Sequence, residues 1–382
     1  MFILSIVIAL SPASAYAVNS DDPLSATSSS RGPSIDTPHE ALLLVSENGH
    51  ELWSKGADES RSIASITKIM TAIVVLDRAN LDDSVMISAA DIATGGSNAN
   101  LRPGEIMTVR ECLEALLLVS GNEVANALAR HVAGSPEEFV AIMNDRALRL
   151  GMSDTRFANP HGIDQAGHYS TARDLAILAR YAMQSDEIRR ISALEFFDPD
   201  GSGPRPPEEN TNLLVGEYLG ATGLKTGWTS RAGFSLISSA SRDGLELFAV
   251  ILGTPSERAV IAQQAMDWGF ENLTYQRFVD RGQEFGSVRV TDYLDLTIPA
   301  VSNSAFSDYI FAPDGQVTAE VELVAHIEAP VAAGDGLGTL RLVQDDRLIY
   351  QTTLVSQVSV EKPGVFERVW IAIQRFFRPQ EG

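Results

Sequence analysis

Three short elements of this chain combine residue types that can do chemistry together: Ser65-Ile66-Thr67-Lys68, Ser120-Gly121-Asn122 and Lys225-Thr226-Gly227. A serine hydroxyl is a poor nucleophile until a neighbouring base takes its proton. Ser65 and Lys68 stand three residues apart, so on a helix they share a face and the amine can reach the hydroxyl. Lysine acts as a base only if its pKa falls, which burial and a second cation bring about. Lys225 is the candidate second cation. A serine at a helix N-terminus also presents its backbone N–H to a developing oxyanion, and Trp228, which follows Gly227, would supply a second N–H. Ser120 would bridge the two lysines and pass the proton to a leaving amine, while Asn122 would orient a substrate amide. The chemistry of such a set is acyl transfer through a serine ester. Taken singly, each element also has a plainer reading, since S-x-x-K is commonly an N-cap followed by a solvated lysine. The signal lies in all three occurring in this order.

Positioning these groups requires helices for the first two elements and a strand for the third. Ser65 opens an apolar helical run after Ile63-Ala64, and from about Ser62 to Ser185 the periodicity is mainly helical. Ser120 to Asn122 end one helix and start the next. Residues 41–46 and 50–54 around Glu47-Asn48-Gly49 read as a β-hairpin. Strand-like runs return at 222–227, 233–239 and 246–252, followed by a helical pattern from Glu257 to Phe270. First and last strands so far apart in sequence predict an α+β fold, with a central antiparallel sheet flanked by helices and a helical subdomain. After about residue 283 short alternating runs dominate, at 286–291, 293–298, 317–325, 338–343 and 348–354. They predict a small all-β domain over 283–358 after a catalytic domain over 39–275.

Composition narrows the function classes. The 382 residues carry 29 basic and 50 acidic side chains, a formal net charge of −21, so nucleic acid is an improbable partner of the body. The single cysteine, Cys112, lies in an apolar run and reads as a small buried hydrophobe. With one cysteine and no HExxH among the six histidines, neither a metal nor a cofactor is expected.

Both ends point to an envelope. Phe2 to Leu10 are apolar apart from Ser5, and Ala13-Ser14-Ala15-Tyr16-Ala17 offers an A-x-A-like cleavage site. Residues 1–17 therefore read as a signal peptide without the usual basic flank, and 18–38 as a flexible leader. At the other end, 363–382 carries a helix whose Val365, Phe366, Val369, Trp370, Ala372, Ile373, Phe376 and Phe377 fall in one arc of roughly 160° at 100° per residue. Glu367, Arg368, Gln374, Arg375 and Arg378 take the other side, with Ile371 the one apolar intruder. Fourteen residues make about 21 Å, too short for a ~30 Å hydrocarbon core but suited to lying in a membrane interface.

The motif set S-x-x-K, S-x-N, K-T-G belongs to penicillin-binding proteins and serine β-lactamases. Over about residues 36 to 275 the chain resembles the D-alanyl-D-alanine carboxypeptidases, the low-molecular-mass penicillin-binding proteins. The likeness extends beyond the motifs to Ile69-Met70-Thr71-Ala72, Glu123-Val124-Ala125, Asn159-Pro160-His161-Gly162-Ile163-Asp164, Tyr169-Ser170-Thr171-Ala172-Arg173-Asp174 and Ala232-Gly233-Phe234. The resemblance implies catalytic roles for Ser65, Lys68 and Ser120, and substrate binding by Asn122, Lys225, Thr226, Gly227, Trp228 and Arg258. Arg258, ten positions before Trp268-Gly269-Phe270, would hold the terminal carboxylate, and an arginine fork suits that task. The implied substrate is the peptidoglycan stem pentapeptide, with β-lactams as covalent inhibitors. The implied place is the outer face of the cytoplasmic membrane, reached by export and held through the C-terminal helix. Two departures stand out: Thr222 where the family more often has Asp, and Trp228 in place of a commoner histidine or tyrosine. His161 reads as a structural loop residue. The alternatives are a DD-endopeptidase, a serine β-lactamase and a non-catalytic penicillin-binding module. The β-lactamase is disfavoured because no Glu-x-x-Leu-Asn segment lies between the second and third motifs.

Overall fold

A computed structural model describes residues 3–9, 32, 33, 35, 40–198, 206–255 and 257–377. The cleavage point after Ala17, most of the leader, part of the 201–207 loop and Arg378 lie outside the described residues.

The chain divides into two compact units that meet between Glu271 and Asn272. In the first, β1 (Ala41–Ser46) and β2 (Glu51–Lys55) form the expected hairpin. Besides a single turn at Ala89–Ile92, the helices between these strands and the next are α1 (Lys68–Leu76), α2 (Val109–Glu114), α3 (Asn122–Ala133), α4 (Pro136–Arg149), α5 (Ala172–Ala182) and α6 (Asp186–Ser192). Then come β3 (Ala221–Thr229), β4 (Gly233–Arg242), β5 (Leu245–Thr254) and α7 (Arg258–Glu271). The sheet runs β2-β1-β5-β4-β3, antiparallel throughout, with the last strand of the unit inserted beside the first. Helix starts follow capping chemistry: Thr108, Ser135, Thr171 and Ser185 each accept a backbone N–H from the first turn.

Both faces of this sheet are covered, so β1 and β5 are buried at nearly every position. Leu43, Val45, Val250 and Leu252 join the core shared with α1 to α6. Leu44 and Leu247 face α7, where Gly269 removes the side chain that would meet them at 2.8 and 2.9 Å. Within the otherwise helical stretch, a two-stranded ribbon pairs Ser84–Met86 with Ile106–Thr108, which periodicity did not reveal.

The second unit is all-β apart from its last helix. Its longer strands are β6 (Leu273–Val279), β7 (Glu284–Val290), β8 (Thr297–Ser302), β9 (Phe306–Phe311), β10 (Thr318–Val324), β11 (Gly336–Gln344) and β12 (Arg347–Ser356), with the short His326–Ile327 pairing in parallel with β7. The 293–298 strand is displaced to β8 because residues 291–296 form the turn that joins it to β7. Strands β6 and β9 form a separate antiparallel pair. Ile3–Ala9 runs antiparallel to β10 at the sheet edge.

Helix α8 (Val365–Phe377) ends the described chain. Ile371 is its buried residue at 8 % exposure, whereas Phe366 and Phe376 are 94 % and 84 % exposed. The residue that interrupts the polar side is therefore the one turned inward, and the aromatic arc faces outward. Arg375 donates to the carbonyls of Thr291 and Tyr293. Among the described residues, no helix is long and apolar enough to cross a membrane.

Candidate active site

Ser65 sits not on an α-helix but in a 3₁₀ turn, Ala64–Thr67, that feeds α1. In such a turn residues three apart eclipse one another. Lys68 Nζ is accordingly 2.9 Å from Ser65 Oγ. The turn is entered through Ala64 at φ +48°, a left-handed conformation that an L-residue holds only under constraint. Two glycines allow the constraint. Gly162, at φ +93°, lies so close that a Cβ there would be 2.0 Å from the Ala64 carbonyl oxygen and 2.9 Å from Ser65 N. A Cβ on Gly227 of β3 would lie 3.2 Å from Ser65 N. Loop and strand thus close on the backbone N–H of the nucleophile from two directions, which gives the last residue of K-T-G a steric reason.

Lys68 is fully buried with three oxygens in hydrogen-bond reach: Ser65 Oγ at 2.9 Å, Asn122 Oδ1 at 2.6 Å and the His161 carbonyl at 2.7 Å; the two hydrogens of the neutral amine serve Asn122 and His161, which leaves its lone pair to the Ser65 hydroxyl. Burial first, then the charge of Lys225, holds its pKa well below the ordinary lysine value, opposed by Glu123. Lys225 is also fully buried, donates to the Thr226 carbonyl at 3.1 Å, and is brought down to about 7 by burial and by Arg258. The second cation therefore gives up its own proton within the physiological pH range. His161 contributes its carbonyl to Lys68, and its ring is kept neutral, with a pKa of about 3, by burial and by Lys68.

The second motif departs from expectation in one respect. A wide helical turn, Ala115–Val119, carries α2 to Ser120, which adopts φ +68° before Gly121 caps α3. Ser120 Oγ is buried and makes no hydrogen bond, so the bridge between the lysines is not formed in this resting arrangement. Asn122 takes Lys68 instead, and its Nδ2 donates to the Gly95 carbonyl at 2.8 Å, so both ends of this amide are engaged. The same loop is held by Asn122 N on the Ser97 carbonyl and by Ala99 N on Glu123 Oε1 at 2.6 Å. Glu123 is buried, and that burial raises its pKa against the backbone N–H groups that it accepts.

At the strand, the Thr226 and Thr211 hydroxyls meet at 2.7 Å, and Thr211 Oγ1 also donates to the Leu118 carbonyl, tying the third motif to the turn before Ser120. Arg258 opens α7, donates to the Gly227 carbonyl at 2.9 Å and lies over the Phe234 ring. Trp228 is 58 % exposed beside Phe234. Thr222 Oγ1 donates to Glu246, the buried partner of Arg189, and lies 2.8 Å from the Ser239 hydroxyl, from which it can accept. All nine residues singled out in the sequence thus lie on the elements that converge here. Glu123, Thr211 and the cradle role of Gly162 were missed.

Residues 27–256 match the family model described as D-alanyl-D-alanine carboxypeptidase, and residues 274–362 match that of the penicillin-binding protein 5 C-terminal domain. The chain is 32 % identical to the D-alanyl-D-alanine carboxypeptidase DacF of Bacillus subtilis, over 85 % of this chain and 86 % of that protein. Against DacC of Escherichia coli it is 31 % identical over 88 % of each. Penicillin binding protein 5 of Haemophilus influenzae superposes with a TM-score of 0.65 at 26 % identity, covering 86 % of this chain and 99 % of that one.

Proposed function

This chain belongs to the D-alanyl-D-alanine carboxypeptidase family of serine peptidases, and from that premise we propose that Ser65 removes the terminal D-alanine of peptidoglycan pentapeptides through an acyl-enzyme. The observation that carries this reading is Lys68: a fully buried amine with a depressed pKa, 2.9 Å from the serine oxygen. Neutral Lys68 takes the Ser65 proton as the hydroxyl attacks the carbonyl of the penultimate residue. The backbone N–H groups of Ser65 and Trp228 receive the oxyanion. Ser120, unpartnered at rest, swings to relay the proton to the leaving amine. Free D-alanine departs, and water hydrolyses the ester with Lys68 again as base. Arg258, with Lys225 when protonated, holds the terminal carboxylate, while Thr226 and the Gly227 segment align the peptide. Asn122 keeps Lys68 in place at rest and exchanges its Gly95 contact for the substrate amide.

Export through residues 1–17 and interfacial anchoring by α8 complete the reading. The exposed Phe366 and Trp370 side chains support the anchor, and so does the inward turn of Ile371, the apolar residue of the opposite side. The test of the site is labelling: benzylpenicillin adds covalently to the peptide containing Ser65, and Ser65→Ala abolishes the adduct. Labelling at full yield in Ser65→Ala overturns the assignment.

A further inference from the structure

The site contains a buried titratable group that the chemistry above leaves unused. His168 is 5 % exposed and stands between the two segments that define nucleophile and base. Its Nδ1 accepts from Ala158 N at 3.0 Å. Its Nε2 lies 2.7 Å from Thr67 Oγ1, and Thr67 Oγ1 donates to the Ala64 carbonyl at 2.8 Å. The hydrogens in this chain have one consistent assignment. A backbone N–H can only donate, so Nδ1 is unprotonated. The Thr67 proton is committed to Ala64, so the neutral ring donates from Nε2 to the threonine oxygen.

We propose that His168, as the neutral Nε2–H tautomer, is a positioning residue for acyl transfer. Through Thr67 it holds the left-handed Ala64 that orients Ser65, and through Ala158 it holds the start of the loop whose His161 carbonyl receives Lys68. One ring thereby fixes the separation of nucleophile and base. The inference rests on the assignment of Ser65 and Lys68 above. Two features agree with it. The groups facing the ring are the Phe157 edge, Asp164 and His161, and burial outweighs Asp164 to hold the His168 pKa at about 4. A protonated ring would set N–H against the Ala158 N–H, so the neutral state is the one the fold requires.

The test uses the full chain and separates the two bonds. Asparagine places its side-chain oxygen where Nδ1 accepts, and glutamine places an amide N–H where Nε2 donates. His168→Gln, which keeps the Thr67 bond and gives up the Ala158 one, should lose less acylation by benzylpenicillin than His168→Asn, which gives up the Thr67 bond and should lose roughly ten- to a hundredfold in the acylation step, the scale of an ångström-level misplacement. Thr67→Val should lose a similar amount, and the His168→Asn/Thr67→Val double variant no more than Thr67→Val alone. Independently of any variant's folding, ¹⁵N-histidine NMR of the native chain should show His168 as the Nε2–H tautomer with no titration above pH 5. A Nδ1–H tautomer, titration near 6.5, unimpaired acylation in His168→Asn, or additive losses in the double variant would overturn the proposal. Wild-type enzyme that is not labelled at Ser65 would instead bring down the site assignment on which it stands.

Discussion

Gly162→Ala tests whether the nucleophile turn is held by close approach, because the geometry states the size of the insult. The new methyl would start 2.0 Å from the Ala64 carbonyl oxygen, against an ordinary contact of well over 3 Å, so backbone must move by about 1 Å. The position also sits at φ +93°, where an L-residue pays about 1–2 kcal/mol. Overpacking adds about 1–3 kcal/mol, and an ångström of displacement at the reacting atoms costs about 10²-fold in rate. The control is Gly151→Ala, at φ +81° with nothing within 4 Å, which feels the backbone strain alone. Stopped-flow acylation by a fluorescent penicillin and calorimetric melting are measured on both. Gly162→Ala should lose both acylation rate and stability, and Gly151→Ala a little stability only. If Gly162→Ala acylates within threefold of wild type, the cradle argument is wrong.

Lys68→Ala should reduce acylation at least about 10²-fold, the low end for general base catalysis, as read by the same stopped-flow assay. The profile of kcat/KM against pH should be bell-shaped: it falls at low pH as Lys68 gains a proton, and at high pH as Lys225 loses its own near 7. Lys225→Arg, which cannot deprotonate, should remove the alkaline limb. Arg258→Ala should impair hydrolysis of free-acid peptides far more than acylation by a penicillin ester lacking that charge, and equal losses would indicate a structural role. Truncation after Val360 should leave activity on soluble peptides intact and release the protein from membranes, since buried aromatic side chains contribute about 1.5–3 kcal/mol each. Retention of the truncated form on vesicles would place the anchor elsewhere.

Reaction chemistry was legible because Ser65, Lys68, Ser120 and Lys225 announce themselves by type and spacing within four residues. The central strands β1 and β5 were legible because they are nearly continuous apolar runs, and β3 because it carries the Lys225-Thr226-Gly227 element. What could not be read is what acts across long separations. His168 reaches Thr67 over 101 positions, and Thr71 reaches the Pro160 carbonyl over 89. No local pattern marks a histidine whose partner is a hydroxyl on a distant turn. Likewise β9 carries Ser307 and Asp308 among its apolar residues and, among the described residues, pairs with β6 alone, so its alternation is weak. Helix α8 shows the converse limit: periodicity placed the apolar arc correctly on the surface of the helix, but only packing tells which side meets the protein.

The two lysines also make a statement about stability that distinguishes a built site from a chance cluster. Both are completely buried, Arg258 lies beside Lys225, and Lys225 releases its proton near 7 in the folded chain against 10.5 when exposed. Between those values the unfolded chain binds a proton that the folded chain has given up, so this residue's contribution to stability rises with pH. Below about 7 the penalty stands at its full size. Lys225→Met, which fills similar volume without a charge to desolvate, should therefore melt higher than wild type at pH 7, with the difference closing toward pH 10. Calorimetry of the transition belonging to the residues before Asn272 measures it. A variant that melts lower at pH 7, or a difference independent of pH, refutes the argument. The same imbalance explains why an anionic peptide end suits the site. On the proposed reading, a substrate carboxylate beside Lys225 would raise the pKa of the amine so that it takes up a proton from solvent, and the relief of the desolvation penalty would add to affinity.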